Sequence, residues 1–154
     1  MPWILFLAAA LAQGAVAPTD TATRHEIGWF VAPLDTVDSF EVVPVVQPNL
    51  ETERAWKVGL EWPTRAYDVG MNAVGPITGR QVTITMNRGG GETVERATIS
   101  VVQLGFLDDS VAGRRDELDL RLQLDGTWRV RSHERSVFCP RGPGRGAWIA
   151  GPCQ

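Results

Sequence analysis

The clearest hydrophobic pattern in this chain is a short run of leucines that alternate with polar residues. Leucine occupies every second position from 118 to 124, and the residues between are charged or polar, which is the two-residue period of a half-buried strand. Asp125-Gly126 then predicts a turn, and residues 127–138 should return as the partner strand. Weaker alternation over 82–86 and 94–102 predicts two earlier strands, joined by a glycine-rich turn at 88–91.

The register of the last hairpin follows from the face that each side chain must take. A two-residue loop at Asp125-Gly126 would place Leu122 opposite Arg129, which mixes leucines and arginines on a face that should be buried. A three-residue loop, with the glycine in the left-handed conformation, places Leu122 opposite Trp128 instead. We therefore predict the three-residue loop. Its expected pairs are Leu122 with Trp128, Leu120 with Val130, and Asp119 with Arg131 on the outer side.

Upstream of these strands, the chain predicts two short helices. Residues 51–60 have a helix-favouring composition, with Asn49 as a candidate N-cap, and Pro63 opens a second helical stretch through Ala73. Helices followed by a run of antiparallel strands predict an α+β domain, in which the helices pack on a C-terminal meander sheet. This is the layout of cystatin-like and nuclear-transport-factor-like folds, by analogy of element order. An all-β sandwich or partial barrel is the alternative.

The first twelve residues form an apolar, uncharged run that ends in Ala-Leu-Ala. The run is too short for a transmembrane helix, which needs about 20 apolar residues, and its small residues fit a signal-peptide cleavage site. We expect residues 1–12 to be a signal peptide, 13–50 an irregular acidic region, and 51–154 a single domain. The mature protein is then secreted or periplasmic and has no transmembrane segment.

The two cysteines, Cys139 and Cys153, bracket a segment rich in glycine, proline and arginine. An exported chain meets an oxidising compartment, where such a pair is expected to form a disulfide. The 15-residue ring would stabilise the fold by about 3 kcal/mol in the chain-entropy account. We expect the ring to hold the tail against the last strand, with Trp148 as its buried apolar side chain. An anion-binding loop that uses Arg141 and Arg145 is the alternative.

The net charge of −3 gives no bulk attraction to nucleic acid, so no nucleic-acid partner is expected. Basic residues nevertheless recur with a period of two on the last predicted strand. We interpret them as a solvated outer face that pairs with Glu117 and Asp119 across the hairpin, and an anion-binding strand is the alternative. The residues of this basic stripe are Arg129, Arg131, His133 and Arg135.

Patterns typical of catalysis or metal binding are weak. His25 and His133 are not spaced to serve as the base for a nucleophile, and two cysteines without a nearby histidine fall short of a zinc set. Asp108-Asp109-Ser110 is expected to cap a turn, with a cation site as its alternative role. We therefore expect no cofactor, no metal and no catalysis. A carboxylate-dependent hydrolase acting on envelope material, with Asp108 or Asp109 working beside Glu61, is the alternative.

The last third of the chain, residues 104–154, resembles an uncharacterised family of small exported bacterial proteins. The shared features are an Asp-Asp-Ser-Val stretch at 108–111, a Gly-x-Trp-Arg strand at 126–129 and a Cys…Arg-Gly…Cys tail at 139–153. The resemblance implies export and a shared small domain, without implying an activity. The chain departs from the pattern at Ala147, where an acidic residue or a histidine is expected, and this weakens the case for chemistry in the tail.

These features predict an exported, non-catalytic envelope protein. The expected partner is a small ligand or an envelope protein. The same hypothesis includes a purely structural role in the envelope. Four tryptophans outside the predicted strands are expected in the core, with a ligand groove as the alternative: Trp29, Trp56, Trp62 and Trp148. The candidate ligand or anion contacts are Arg131, Arg135, Arg141, Arg145, Trp148, Asp108 and Asp109.

Overall fold

The structure is a computed structural model, and it describes residues 25–27, 30–32, 37–89, 94–106 and 110–153. Two helices, α1 (Val46–Lys57) and α2 (Ala66–Val74), are separated by a 3₁₀ turn at Trp62–Thr64. The strands are β1 (His25–Ile27), β2 (Phe30–Ala32), β3 (Glu41–Val42), β4 (Gln81–Arg88), β5 (Arg96–Leu104), β6 (Gly113–Leu122), β7 (Trp128–Phe138) and β8 (Trp148–Ile149).

Six of the described strands form one antiparallel sheet. Its order is β3–β7–β6–β5–β4, and β8 also pairs with β7, next to β3 along the same edge. β4 to β7 are neighbours in chain order, so the centre of the sheet is a meander. β1 and β2 pair only with each other among the described strands. The predicted α+β fold, with short helices on a C-terminal antiparallel meander, is confirmed, and the all-β alternative is wrong.

The main core lies between α2 and one face of the sheet. The helix and the central strands both present apolar residues at their own period, so the two surfaces bury each other. α2 approaches β5 most closely at Gly70, where an added Cβ would lie 2.5 Å from Ile99 Cδ1. The buried residues of this cluster are Ala66, Val69, Val74, Ala97, Ile99, Val101, Leu118, Leu120, Trp128 and Val130.

A second, smaller apolar cluster covers one end of the opposite face. It comprises Val102, Leu104, Phe138 and Trp148. The Trp148 side chain is fully buried, and its ring centroid lies 5.4 Å from that of Phe138 in a tilted arrangement. The backbone N–H groups of residues 38 and 39 donate to the Trp148 carbonyl at 3.0 and 3.2 Å. The segment before β3 therefore holds β8 in place.

The β6–β7 hairpin has the predicted loop. Gly126 has a φ of +81°, and the predicted pairs of Leu122 with Trp128 and Leu120 with Val130 are both present. The third predicted pair is wrong, because a β-bulge follows and Asp119 pairs with Ser132 rather than with Arg131. The bulge adds one residue to β7, so side chains beyond it take the face opposite to the one predicted.

The first helix begins earlier than predicted, at Val46 rather than at residue 51. Pro48 lies in its first turn, where the missing N–H costs little. Asn49 is not the N-cap. Its side-chain Nδ2 donates to the Val130 carbonyl at 2.9 Å and its Oδ1 accepts from the Val130 N–H at 3.0 Å. The residue therefore joins α1 to β7 beside the bulge, and this tertiary contact replaces the predicted local one.

Candidate functional site

A groove lies at the N-terminal end of α2, where the helix meets the ends of β4 and β7. Its volume is about 530 Å³, within the range of small-molecule sites in proteins. The first turn of α2 and the residues before it line one part of the groove. The end of β4, the residue that leads into β5 and the start of β7 line the rest. The described lining residues are Thr64, Arg65, Ala66, Tyr67, Asp68, Arg88, Val94 and Trp128.

Among its described residues, the groove combines an arginine that lies outside the ion pairs with the rings of Tyr67 and Trp128. Arg65 forms an ion pair with Asp68 across the first turn of α2, so these two charges cancel. Arg88 is exposed, and none of the ion pairs among the described residues includes it. Tyr67 is exposed, while Trp128 is almost fully buried. The lining thus suits a small anion that carries a flat or apolar body.

A polar cluster is buried on the helix-covered face of the sheet, beyond the apolar core. Asp116 of β6 has no exposed surface. Its Oδ1 accepts hydrogen bonds from His133 Nε2 at 2.8 Å and from Arg135 Nε at 2.7 Å, and its Oδ2 accepts one from Arg114 Nε at 3.0 Å. Three donors therefore converge on one carboxylate, which is how buried charge is normally accommodated.

Opposing effects act on the ionisation of Asp116. Burial works to raise its pKa, but the hydrogen bond from His133 and the charges of Arg135 and Arg114 outweigh burial, so the pKa is lowered. An ionised carboxylate only accepts hydrogen bonds, so His133 carries a proton on its Nε2 atom and donates it to Asp116 in a hydrogen bond. Its Nδ1 is buried without a hydrogen-bond partner among the described residues. The cluster is closed to solvent at Asp116 and His133, which fits a role in the fold rather than in contact with a substrate.

The predicted basic stripe on β7 does not form. Arg131 is the extra residue at the bulge and is exposed. Arg129 lies between two residues of the helix-covered core and so takes the other face of β7, where its Nη1 donates to the Asn49 carbonyl of α1 at 2.5 Å. His133 and Arg135, beyond the bulge, lie on the covered face against Asp116. The interpretation of all four residues as one solvated face paired with residues 117 and 119 is therefore wrong.

The tail is closed by the predicted disulfide. Cys139 and Cys153 are bonded, with their Cα atoms 5.5 Å apart. Within the loop, the Gly146 N–H donates to the Cys139 carbonyl at 3.0 Å, so the chain folds back on the end of β7. Such a bond indicates an oxidising compartment, and no helix in the described part of the chain is long and apolar enough to cross a membrane.

The predicted ligand contacts in the tail have different environments. Arg141 and Arg145 are exposed on the disulfide loop, and their anion-binding role stays a prediction. The expectation that Trp148 fills the space beneath the tail is confirmed by its burial against Phe138, and in this position its ring is closed to a ligand.

Other predicted residues fall outside the described part of the chain or away from the groove. Asp108 and Asp109 are outside the described residues, so their pairing with Glu61 in a hydrolase stays a prediction, and Trp29 is outside as well. The expectation that Trp56 lies in the core is wrong, because Trp56 is exposed on α1. Trp62 is partly buried and packs against the main core. Within the described residues, no three potential metal ligands lie together.

The sequence prediction missed the groove and the Asp116 cluster. The sequence does indicate the position of Asp116. It lies two residues before Leu118 on the same strand, so its side chain points to the buried face with the leucines of β6. Arg65 and Asp68 are three residues apart, the spacing of a helical ion pair. No local pattern brings Arg88 to α2, since that proximity depends on how the helix crosses the sheet.

Comparison with protein-family models, with curated proteins and with solved structures finds no match to this chain.

Proposed function

We propose that this chain is an exported, non-catalytic binding protein of the cell envelope. Its ligand is a small anion with a ring-shaped body, bound in the groove at the start of α2. The observation that carries the proposal is the exposed Arg88 in the same groove as Tyr67 and Trp128. A positive charge, a ring surface and an open groove of small-molecule size come together here.

The chemistry of Arg88 favours a carboxylate or phosphate ester. A guanidinium presents N–H donors in a planar fork that matches two oxygens of such a group. Arg65 is already paired with Asp68, so among the described lining residues Arg88 carries the positive charge that is left to be neutralised. The phenol of Tyr67 offers a face on which a sugar or aromatic ring can lie. Acidic sugars of the envelope combine both features in one small molecule.

The described side chains in and near the groove agree with binding of a ligand without catalysis. Glycoside hydrolysis generally requires two carboxylates on either side of the bond that breaks. Among the described residues of the groove, Asp68 is the carboxylate, and it is held by Arg65. Asp116 and His133 are residue types common in catalysis, but neither has exposed surface. We therefore assign no reaction to this protein.

Export is supported by three independent features. The disulfide of the tail indicates an oxidising compartment. Residues 1–12 are predicted to be a signal peptide, and residues 104–154 resemble exported bacterial proteins. We assign the mature protein to the periplasm or the extracellular medium.

Isothermal titration calorimetry with two matched sugars tests the ligand class. N-acetylmuramic acid has a ring and a carboxylate, and N-acetylglucosamine has the same ring without the acid. We expect the acid to bind and the neutral sugar to bind at least roughly tenfold more weakly, as loss of one charge-assisted contact implies. Absence of binding by the acid, or equal binding of both sugars, contradicts the proposal.

Arg88→Gln is the variant that localises binding to the groove. It should reduce the affinity for the acid to that for the neutral sugar. Arg96→Gln is the control for surface charge, because Arg96 is also exposed and lies at the same end of the β4–β5 hairpin, although it is paired with Asp119. Its side chain is on the opposite face of the sheet, away from α2. An equal loss of affinity in both variants would mean that general surface charge, rather than the groove, attracts the acid.

A further inference from the structure

We propose that the outer edge of β4 pairs with β4 of a second copy, which joins two sheets into one continuous antiparallel sheet about a twofold axis. Among the described strands, β5 is the one that pairs with β4, so within the described part of the chain the other edge presents unpaired backbone groups. Edge strands of this length normally carry a charged side chain, a proline or a bulge that blocks association, and β4 has a charged residue only at its last position, Arg88. Residues 81–87 contain no charged residue and no proline, and their pairing with β5 runs without a register shift.

The backbone groups that face outward can be assigned from the ladder. The Gly89 N–H donates to the Arg96 carbonyl at 3.0 Å, so residue 89 directs its backbone groups toward β5. In an antiparallel ladder, alternate residues direct their N–H and C=O groups to opposite sides. Val82, Ile84 and Met86 therefore direct theirs to the free edge.

One pairing register suits the side chains on both copies. With the twofold axis at Ile84, this residue lies opposite itself, and Val82 lies opposite Met86 of the second copy. Each of the three pairs exchanges two hydrogen bonds, which gives six across the interface. Thr83 lies opposite Thr85 on the other face, a favourable cross-strand pair. A shift of two residues in either direction places Val82 or Met86 opposite an arginine, so the central register is preferred.

The pairing covers an exposed apolar side chain. Ile84 is 36% exposed, although it lies in the middle of the strand. Val82 and Met86 are already partly buried against the main core, so their contribution is smaller. An interface limited to one strand is small, and we expect a dissociation constant in the micromolar to millimolar range, roughly.

The residue pairs at the two ends of the paired strands oppose association in this register. Arg88 lies opposite Arg80 of the second copy at both ends of the paired strands, and like charges directly across a ladder are destabilising. This provides a specific test of the register. Arg80→Glu converts both repulsive pairs into attractive ones and should tighten the dimer by roughly tenfold. Arg80 is exposed, so the substitution leaves the core unchanged.

Sedimentation velocity on the mature chain, from about 10 μM to about 1 mM, measures the association in the range expected for a small interface. The wild type should form a dimer as concentration rises. Ile84→Lys should remain monomeric throughout, because two lysines then meet at the axis. Leu122→Lys is the matched control. Leu122 is 37% exposed and lies on the same face of the sheet, but on β6, which is paired on both sides, so this variant should still dimerise.

Mixing Ile84→Lys with Ile84→Glu should restore a dimer, now of the two different chains, because opposite charges meet at the axis. Circular dichroism on each variant establishes that the fold is kept. A wild type that stays monomeric at about 1 mM overturns the proposal, since even weak pairing of this kind is populated there. Equal loss of dimer in Leu122→Lys and Ile84→Lys, or a weaker dimer in Arg80→Glu, also overturns it.

Discussion

Asp116→Asn removes the charge at the centre of the buried polar cluster while keeping the shape of the side chain. The carboxylate accepts hydrogen bonds from His133, Arg135 and Arg114. Asparagine keeps one acceptor oxygen but replaces the other with an NH₂ group, which only donates. At least one arginine then faces a donor, and both arginines lose their buried counter-charge.

The size of the effect follows from the number of bonds and their exposure. Hydrogen bonds to a charged group contribute roughly 1.5 kcal/mol each at the lower end of their range, so three of them amount to about 4.5 kcal/mol before relaxation. The side chains of Arg114 and Arg135 are 20% and 24% exposed, so water recovers part of this loss. His133 has no exposed surface, so water cannot replace the hydrogen bond that it loses. We expect the variant to lower the free energy of unfolding by about 3 kcal/mol at neutral pH.

The lowered pKa of Asp116 fixes the sign of the pH dependence. Burial opposes ionisation, but the partners of Asp116 prevail and lower its pKa in the folded state. Its contribution is therefore fully present above the pKa of an unfolded aspartate, about 3.9, and is lost as the pH falls through the folded value. The difference in stability between the wild type and Asp116→Asn should be largest near neutral pH. It should shrink as the pH drops below about 4.

Urea denaturation followed by tryptophan fluorescence, at several pH values, measures both quantities. Glu117→Gln is the control, because Glu117 is the next residue of β6, lies on the opposite face and is 37% exposed in its pair with Arg115. Its loss should cost less than about 1 kcal/mol. A cost for Asp116→Asn no greater than that of the control would refute the reasoning. A difference that stays constant as the pH falls would refute it as well.

Three further changes each test a single contact. Gly113→Ala should destabilise by about 1–3 kcal/mol in urea, because its Cβ would lie 2.9 Å from two buried side chains; an unchanged midpoint contradicts this packing. Asn49→Ala should cost about 1–2 kcal/mol and speed hydrogen exchange at Val130, whose backbone loses both side-chain bonds; slow exchange there contradicts it. Replacing Cys139 and Cys153 with serine should cost about 3 kcal/mol. A reducing agent should destabilise the wild type alone, and an equal effect on the serine variant contradicts the disulfide's role.

The strands could be predicted because their signal is local. Alternating side chains define β4 to β7, and the incompatibility of leucines with arginines on one face selected the loop at Gly126. The bulge at Arg131 could not be predicted in this way. Its consequence, the inward turn of His133 and Arg135, depends on the partner that Asp116 offers from the neighbouring strand.

The start of α1 was misplaced because its first turn does not resemble a helix in isolation. Residues 46–50 contain Pro48 and Asn49, which favour turns and caps. Contact with β7 overrides that preference, since the Asn49 side chain satisfies the backbone of Val130. The groove was unpredictable for a related reason. Arg88 and Tyr67 are distant in sequence, and only the crossing of α2 over the sheet brings them to one site.

The central claim is that the groove at the start of α2 binds a small ring-bearing anion. A ¹⁵N NMR titration of the mature chain with N-acetylmuramic acid tests it most directly, because each amide and indole reports its own site. We predict saturable shifts that are largest at Arg88, Tyr67 and the Trp128 indole. Shifts confined to the disulfide loop around Arg141 and Arg145, or no saturable shift at all, would contradict the claim.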